Sequence, residues 1–262
     1  MKILGSIIAL LLVAVIGIAG VTLYKSTVAP PPPSSSAAAP SMAKVEPKKP
    51  KTPFEVPEAL AKAIERNKDT VAWLEVGGTD INNSVVQAKD NDFYLRRNEA
   101  KEDEIYGCYF ADYECAVGAR DVLKPNTVIY GHSSPGDDPN GKRSSQLFRY
   151  LDAEVAKANP YIRLCTQDER LVFEIFAIFY TDINFDYIKV NIEDEEMQQI
   201  AAKAKELSIY DYGKSPVAGD KFITLSTCTE KFGTDGTHRF VIMGRLLPKD
   251  AELLPNVEIA VK

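Results

Sequence analysis

Apolar residues follow three patterns along the chain, and each pattern predicts a different kind of structure. Residues 3–24 form an apolar run without a charged residue, long enough to cross a bilayer as a helix. Two segments with apolar positions three and four residues apart, at about residues 55–67 and 191–207, predict helices. The other apolar runs are short and rich in β-branched and aromatic residues, which is typical of strands.

The short runs outnumber the predicted helices, and their order limits the fold. They cover residues 71–76, 81–87, 105–112, 126–132, 161–165, 171–180, 222–228 and 240–243. Many short strands with few helices between them, instead of alternating βαβ units, predict a mostly antiparallel barrel or sandwich. The chain is therefore expected to be mostly β, with one helix at the start of the domain and a long helix before the run that ends at residue 228.

Composition divides the chain into three parts. Residues 1–27 are predicted to be an uncleaved signal anchor, although the three alanines at positions 37–39 leave cleavage open. Residues 28–55 are rich in Pro, Ser, Ala and Lys, which predicts a semi-extended spacer without a core. Residues 56–262 are then a single folded domain, held outside the cell by the membrane segment.

Charge and cysteine content exclude several functions for this domain. Residues 56–262 hold 25 of the 31 Lys and Arg and 35 of the 37 Asp and Glu, a net charge of about −10. Such an excess of negative charge argues against a nucleic-acid partner. The four cysteines show neither a C-x-x-C pair nor the His/Cys spacing of a zinc site, so no metal and no cofactor are expected.

Two apolar runs near the C-terminus predict a hairpin with reactive side chains at its end. The first run ends in Cys228, a polar segment with two glycines follows, and Arg239 opens the second run. In such a hairpin Cys228 and Arg239 face each other across the strand pair, a few ångströms apart at Cβ. Neighbouring strand residues point to opposite faces, so His238 points away from Cys228 and leaves His132 as the other imidazole.

These three residues suit nucleophilic catalysis. Cys228 is the expected nucleophile, His132 the general acid and base, and Arg239 the donor to a substrate carbonyl or its oxyanion. Each residue taken alone also has a structural interpretation, as a disulfide partner, a loop histidine and a surface cation.

The cysteine strand, Thr224-Leu225-Ser226-Thr227-Cys228, followed by Arg239 and preceded by the run that ends in His132, resembles the sortases. Ser226 is the residue typical of their class B, and the similarity covers about residues 56–248. Ser84 departs from the family pattern, which often has proline there.

The resemblance implies an eight-stranded sortase β-barrel with an N-terminal helix and a long helix inserted before the cysteine strand. It implies a cysteine transpeptidase outside a Gram-positive-type membrane that cleaves a C-terminal sorting motif after threonine, as a thiol protease would. A thioacyl-enzyme then passes the surface protein to a peptidoglycan amine, and no calcium is implied. Neither the motif, NPQTN-like or PxTG-like, nor the acceptor amine follows from the resemblance.

Four further residues are candidates for substrate contacts. Ser226 lies on the same face as Cys228, and the backbone N–H of Thr229 is a candidate donor to the oxyanion. Leu95 and Tyr187 are candidate walls of the motif groove. The remaining cysteines, Cys108, Cys115 and Cys165, are treated as structural or incidental.

Two alternatives stay open at this point. A pilin-polymerising sortase would use a lysine side chain as acceptor, but the chain lacks an obvious lid segment of the pilin class. A membrane-tethered binding domain without catalysis would hold Cys228 in a disulfide, for example with Cys165.

Overall fold

The computed structural model describes residues 54–262, so the predicted signal anchor and nearly all of the predicted spacer lie outside the described residues. Three α-helices are present in this part, α1 (Glu58–Arg66), α2 (Ala153–Ala158) and α3 (Asp194–Leu207). The strands are β1 (Thr70–Val76), β2 (Asn82–Val86), β3 (Tyr109–Ala111), β4 (Asn126–Tyr130), β5 (Tyr161–Cys165), β6 (Arg170–Asp182), β7 (Tyr210–Asp211), β8 (Phe222–Cys228), β9 (His238–Leu246) and β10 (Ala260–Val261). Two 3₁₀-helices span Pro135–Asp137 and Arg143–Leu151. Over residues 54–262, no helix has the length and apolar character that a bilayer crossing requires.

Eight of the strands close into a barrel in the order β1-β2-β3-β4-β8-β9-β6-β5, and β7 pairs with β10 in a separate small sheet. The expected mostly β fold with an N-terminal helix and a long helix before the cysteine strand is confirmed. Most neighbouring strands are antiparallel, but β2 pairs with β3 and β4 pairs with β8 in parallel. The parallel β4–β8 pair was not predicted, because it depends on a long connection that strand patterns do not reveal.

Apolar side chains fill the barrel and also cover part of its outside. The interior core includes Ile178, Phe240 and Ile242, all fully buried. On the outer face, α3 packs Met197 and Ala201 against a second cluster that comes from β6, β8 and β9. Since α3 covers this face, β6 is buried on both sides over most of its length, which explains its nearly continuous apolar sequence.

Strand register places the ends of β4, β8 and β9 together. In the antiparallel β8–β9 pair, Cys228 lies opposite Arg239, which confirms the predicted hairpin and its register. In the parallel β4–β8 pair, Tyr130 lies opposite Ser226. Because parallel strands end at the same edge, the residues that follow β4, including His132, come beside the end of β8.

Candidate active site

A cavity of about 340 Å³ lies where β4, β8 and β9 meet. Its lining includes the three predicted catalytic residues, Cys228, His132 and Arg239. Three of the four predicted substrate-contact residues line the same cavity, namely Ser226, Leu95 and Tyr187. The structure therefore brings together six of the seven residues that the sequence singled out.

Cys228 is the last residue of β8 and is partly exposed at the cavity, whereas the other three cysteines are buried. Its backbone carbonyl accepts a hydrogen bond of 2.9 Å from the Ser133 hydroxyl, which ties the end of β8 to the loop after β4. All four cysteines of the chain lie in the described part, and all are unpaired. The thiol of Cys228 is thus free to react.

His132 lies two residues beyond the end of β4, and its ring is held by a backbone group. Its Nε2 is 2.7 Å from the carbonyl oxygen of Leu95. Because a carbonyl oxygen only accepts, Nε2 carries the proton in this contact, and Nδ1 is the acceptor of the neutral ring.

The surroundings of His132 favour its neutral form. Burial lowers the pKa of the imidazole, the bond to the Leu95 carbonyl opposes this shift, and the positive charges of Arg96 and Arg239 lower the pKa further. A neutral imidazole with an unprotonated nitrogen is the form that accepts a proton from a thiol.

Arg239 is the second residue of β9 and is anchored from its own strand. Its Nη1 donates to the carbonyl oxygens of Gly236, at 2.6 Å, and His238, at 2.9 Å. Both bonds use one nitrogen, and a guanidinium carries further N–H donors on Nη2 and Nε. The arrangement holds a positive, multiply donating group beside Cys228.

Ser226 and Tyr187 form a buried polar pair in the cavity wall. The phenol oxygen of Tyr187 lies 2.8 Å from the Ser226 hydroxyl oxygen. Burial raises the pKa of Tyr187, although the bond to Ser226 opposes this shift. Leu95 contributes a half-exposed side chain to the wall and, through its carbonyl, the contact to His132.

Thr229 differs from the other predicted residues. It does not line the cavity, and its backbone N–H donates to the His238 carbonyl oxygen at 3.3 Å. The hairpin pairing thus continues one residue past Cys228 and engages the N–H group that was expected to face an oxyanion. The Thr229 hydroxyl donates to the carboxylate of Asp137.

Sequence reasoning missed a hydrogen-bonded group that contributes two residues to the cavity wall. The carboxylate of Asp112, which is 5 % exposed, accepts from the Tyr130 hydroxyl and from the Asn91 side-chain amide, both at 2.8 Å. Tyr130 and Asn91 line the cavity. Two features of the sequence could have pointed to this group. Tyr130 stands two residues before His132, and a short segment links Asn91 to Leu95.

The described residues include no group of His, Cys, Asp and Glu side chains arranged to hold a metal ion. The cavity instead offers a thiol, an imidazole and a guanidinium among apolar walls that include Phe110, Ile183 and Ile188. Such a site suits nucleophilic covalent catalysis on a ligand that carries apolar groups.

Known proteins with similar sequences and structures point the same way. The family model described as "Sortase domain" matches residues 74–247. Sortase B of Listeria monocytogenes is 34 % identical over 197 residues, which cover 74 % of this chain and 76 % of that protein.

Two solved structures extend the comparison to the fold. Clostridium perfringens sortase B has a TM-score of 0.63 and 26 % identity, over 72 % of this chain and 99 % of that one. A Staphylococcus aureus sortase B–substrate complex has the same TM-score and 24 % identity, over 73 % and 85 % of the two chains.

Proposed function

The chain belongs to the sortase family of cysteine transpeptidases, in its class B, and from this premise we propose that Cys228, His132 and Arg239 catalyse its reaction. The observation that carries the proposal is their convergence on one cavity at the ends of β4, β8 and β9. The order of the strands supports it, because the cysteine and the arginine face each other in register while the histidine arrives from the parallel neighbour.

The first half-reaction forms a thioacyl-enzyme. The Cys228 sulfur attacks the carbonyl carbon after threonine in a C-terminal sorting motif, and the thiol proton passes to His132. Guanidinium N–H groups of Arg239 stabilise the negative oxygen of the tetrahedral intermediate. The peptide C–N bond then breaks, and the leaving amine takes the proton from His132.

The second half-reaction transfers the acyl group to an amine of the peptidoglycan. The amine nitrogen attacks the thioester carbon and gives its proton to His132, after which the C–S bond breaks and Cys228 regains a proton. The product is an amide bond between the surface protein and the cell wall.

The cellular setting is part of the same proposal. Residues 1–27 form a single membrane crossing, residues 28–55 a spacer and residues 56–262 the catalytic domain outside the cell. The uncharged apolar run at residues 3–24 and the Pro-rich segment after it support this arrangement. Surface proteins with a sorting motif are then the substrates, and the Staphylococcus aureus sortase B–substrate complex is a structural relative that holds a substrate.

Of the alternatives, the binding domain with Cys228 in a disulfide has no support, since all four cysteines are unpaired. No particular contact in the cavity favours a lysine side chain as acceptor, as a pilin-polymerising enzyme would require. Wall anchoring therefore remains the proposed activity.

Mass spectrometry of the acyl-enzyme tests the proposal. Full-length protein is mixed with NPQTN-like and PxTG-like peptides, and a mass increase is expected on Cys228 with one of them. Cys228→Ala should show neither the adduct nor peptide cleavage, because no thioester can form. Cys165→Ala, which changes a buried cysteine outside the cavity, is the matched control and should still form the adduct. Cleavage that persists in Cys228→Ala would overturn the mechanism.

A further inference from the structure

Beyond the catalytic residues, the segments that follow β4 and β8 are joined by a set of side-chain bonds. We propose that Asp137, in the loop after His132, is a positioning residue that holds this loop against the segment after Cys228. The inference rests on the proposed function, because its consequence is the relative position of the imidazole and the thiol.

The bonds form a reciprocal clamp between the two segments. The Asp137 carboxylate accepts from the Thr229 hydroxyl through Oδ2 and, at 2.9 Å, from the backbone N–H of Glu230 through Oδ1. In return, the backbone N–H of Gly136 donates to the Glu230 carboxylate at 2.7 Å. Two acidic side chains thus each accept a backbone N–H from the opposite segment.

The clamp acts where strand pairing has ended. The parallel β4–β8 pair ends where Tyr130 lies opposite Ser226. Its last hydrogen bond, of 3.3 Å, runs from the Gly131 N–H to the Ser226 carbonyl oxygen. Beyond that point, the backbones of the two segments are linked through side chains, first Ser133 to the Cys228 carbonyl and then Asp137. His132 lies between the strand and these two links, so they contribute to its distance from Cys228 together with a bond of 2.9 Å from the Ser144 N–H to the His132 carbonyl oxygen.

The backbone of the loop is shaped for this contact. Gly136 has a φ of 74° and Asp137 a φ of 53°, so two consecutive residues adopt the left-handed region. Asp and Asn tolerate this region better than most residues other than glycine. Glycine adopts this region without penalty, so the cost falls on Asp137 alone, and its bonds to the Cys228 segment compensate that cost.

Asp137 does not act as the acid partner of His132. The imidazole is bonded to the Leu95 carbonyl, and the charged groups that act on it are Arg96 and Arg239. A change at Asp137 should therefore alter the rate of acylation through geometry and leave its pH midpoint in place. Small displacements of reacting groups are costly, since about 1 Å can change a rate by on the order of a hundredfold.

Two variants separate the loss of the clamp from a change in loop shape. Asp137→Ala removes both acceptors, whereas Asp137→Asn keeps the tolerance for positive φ and one carbonyl oxygen. Asp138→Ala is the matched control, because that carboxylate accepts from Asn140 within its own loop. The measurements, on the full-length protein, are the single-turnover rate of acyl-enzyme formation across pH and the hydrogen exchange of residues 229–231.

We expect Asp137→Ala to slow acylation by about tenfold or more, Asp137→Asn to fall between it and the wild type, and Asp138→Ala to stay within about twofold. Exchange at residues 229–231 should accelerate in Asp137→Ala, and the pH midpoint should stay unchanged. Thr229→Val removes one bond of the same clamp and leaves Asp137 in place, so it should slow acylation and add little to Asp137→Ala in the double variant. Because the Thr229 hydroxyl also accepts from the Lys231 N–H, at 3.2 Å, this variant is compared by its acylation rate and not by exchange at Lys231.

Two outcomes would overturn the inference. The first is a wild-type acylation rate in Asp137→Ala and Thr229→Val, and the second is a shifted pH midpoint, which would make Asp137 an electrostatic partner of His132. If wild-type protein forms no acyl-enzyme with any peptide, the proposed function fails instead. The exchange measurement still decides whether the clamp exists.

Discussion

The two histidines of the chain lie near the same hairpin end but in different surroundings. His132 lines the cavity beside Cys228, with Nε2 held by the Leu95 carbonyl. His238, the first residue of β9, packs its ring 5.0 Å from that of Phe232, and its Nδ1 lies 3.1 Å from the Thr237 hydroxyl oxygen. Only the first of them contributes to the site.

The difference shows that strand geometry, and not closeness in sequence, decides which histidine lines the cavity of Cys228. His238 is ten residues from Cys228 and adjacent to Arg239. Because side chains alternate along a strand, the register that turns Arg239 toward Cys228 turns His238 to the other face. His132, far away in sequence, arrives through the parallel pairing of β4 with β8.

The largest expected effect tests this comparison directly. His132→Ala should reduce kcat/KM for sorting-motif cleavage by at least about a hundredfold, because general acid and base catalysis typically contributes two orders of magnitude or more. His238→Ala, the matched control, should stay within about twofold. Steady-state kinetics on both variants, with circular dichroism to check folding, measure the contrast. The opposite ranking would mean that the wrong imidazole has been assigned.

The next largest effect is expected at Arg239, which lies opposite Cys228 in the β8–β9 pair. Arg239→Lys should lower the acylation rate by about tenfold or more, since an ammonium ion does not reproduce the planar, multiply donating guanidinium. Arg170→Lys, at the opposite end of β6 from the hairpin contact, serves as control and should keep the wild-type rate. A wild-type rate in Arg239→Lys would show that charge alone is needed.

Alternation and motif spacing were sufficient to predict the hairpin, its register and that His132, unlike His238, lines the cavity with Cys228. They could not predict the contacts of the Leu95 carbonyl and the Thr229 N–H, because the partners of these backbone groups depend on loop geometry. The Leu95 carbonyl reaches His132 across 37 positions. The Thr229 N–H is engaged because pairing continues past the end of β8. Backbone contacts are nearly independent of residue type, so the sequence carries little signal for them.

A smaller effect is expected at the buried polar pair on the cavity side of the hairpin. Tyr187→Phe leaves the Ser226 hydroxyl without its partner, and a lost hydrogen bond of this kind costs about 1 kcal/mol, or roughly fivefold. We therefore expect Tyr187→Phe to lower kcat/KM for the motif peptide by roughly fivefold. The double variant with Ser226→Ala should lose little more, because the two residues share one bond. Additive losses would indicate that each residue contacts the substrate separately.

The smallest expected effect is the pH dependence of stability. The folded-state pKa of His132 lies below its ordinary value of 6.5. Between these two pKa values the unfolded chain binds more protons than the folded one, so this contribution to stability is present above pH 6.5 and lost as the pH falls through the folded-state pKa. Tm measured from pH 7.5 to pH 5 should therefore fall less steeply in His132→Ala than in the wild type. His238→Ala is measured in parallel as the comparison.

The difference in Tm should be a few degrees at most, since about 1 kcal/mol shifts the Tm of a domain of this size by roughly 2–4 °C. A steeper fall in His132→Ala would mean that the folded state favours the charged imidazole. In that case the bond to the Leu95 carbonyl, which raises the pKa of His132, would outweigh the effects that lower it. These are the burial of the ring and the positive charges of Arg96 and Arg239. The environment of His132 would then suit an imidazolium paired with a thiolate, and the first proton transfer would precede substrate binding.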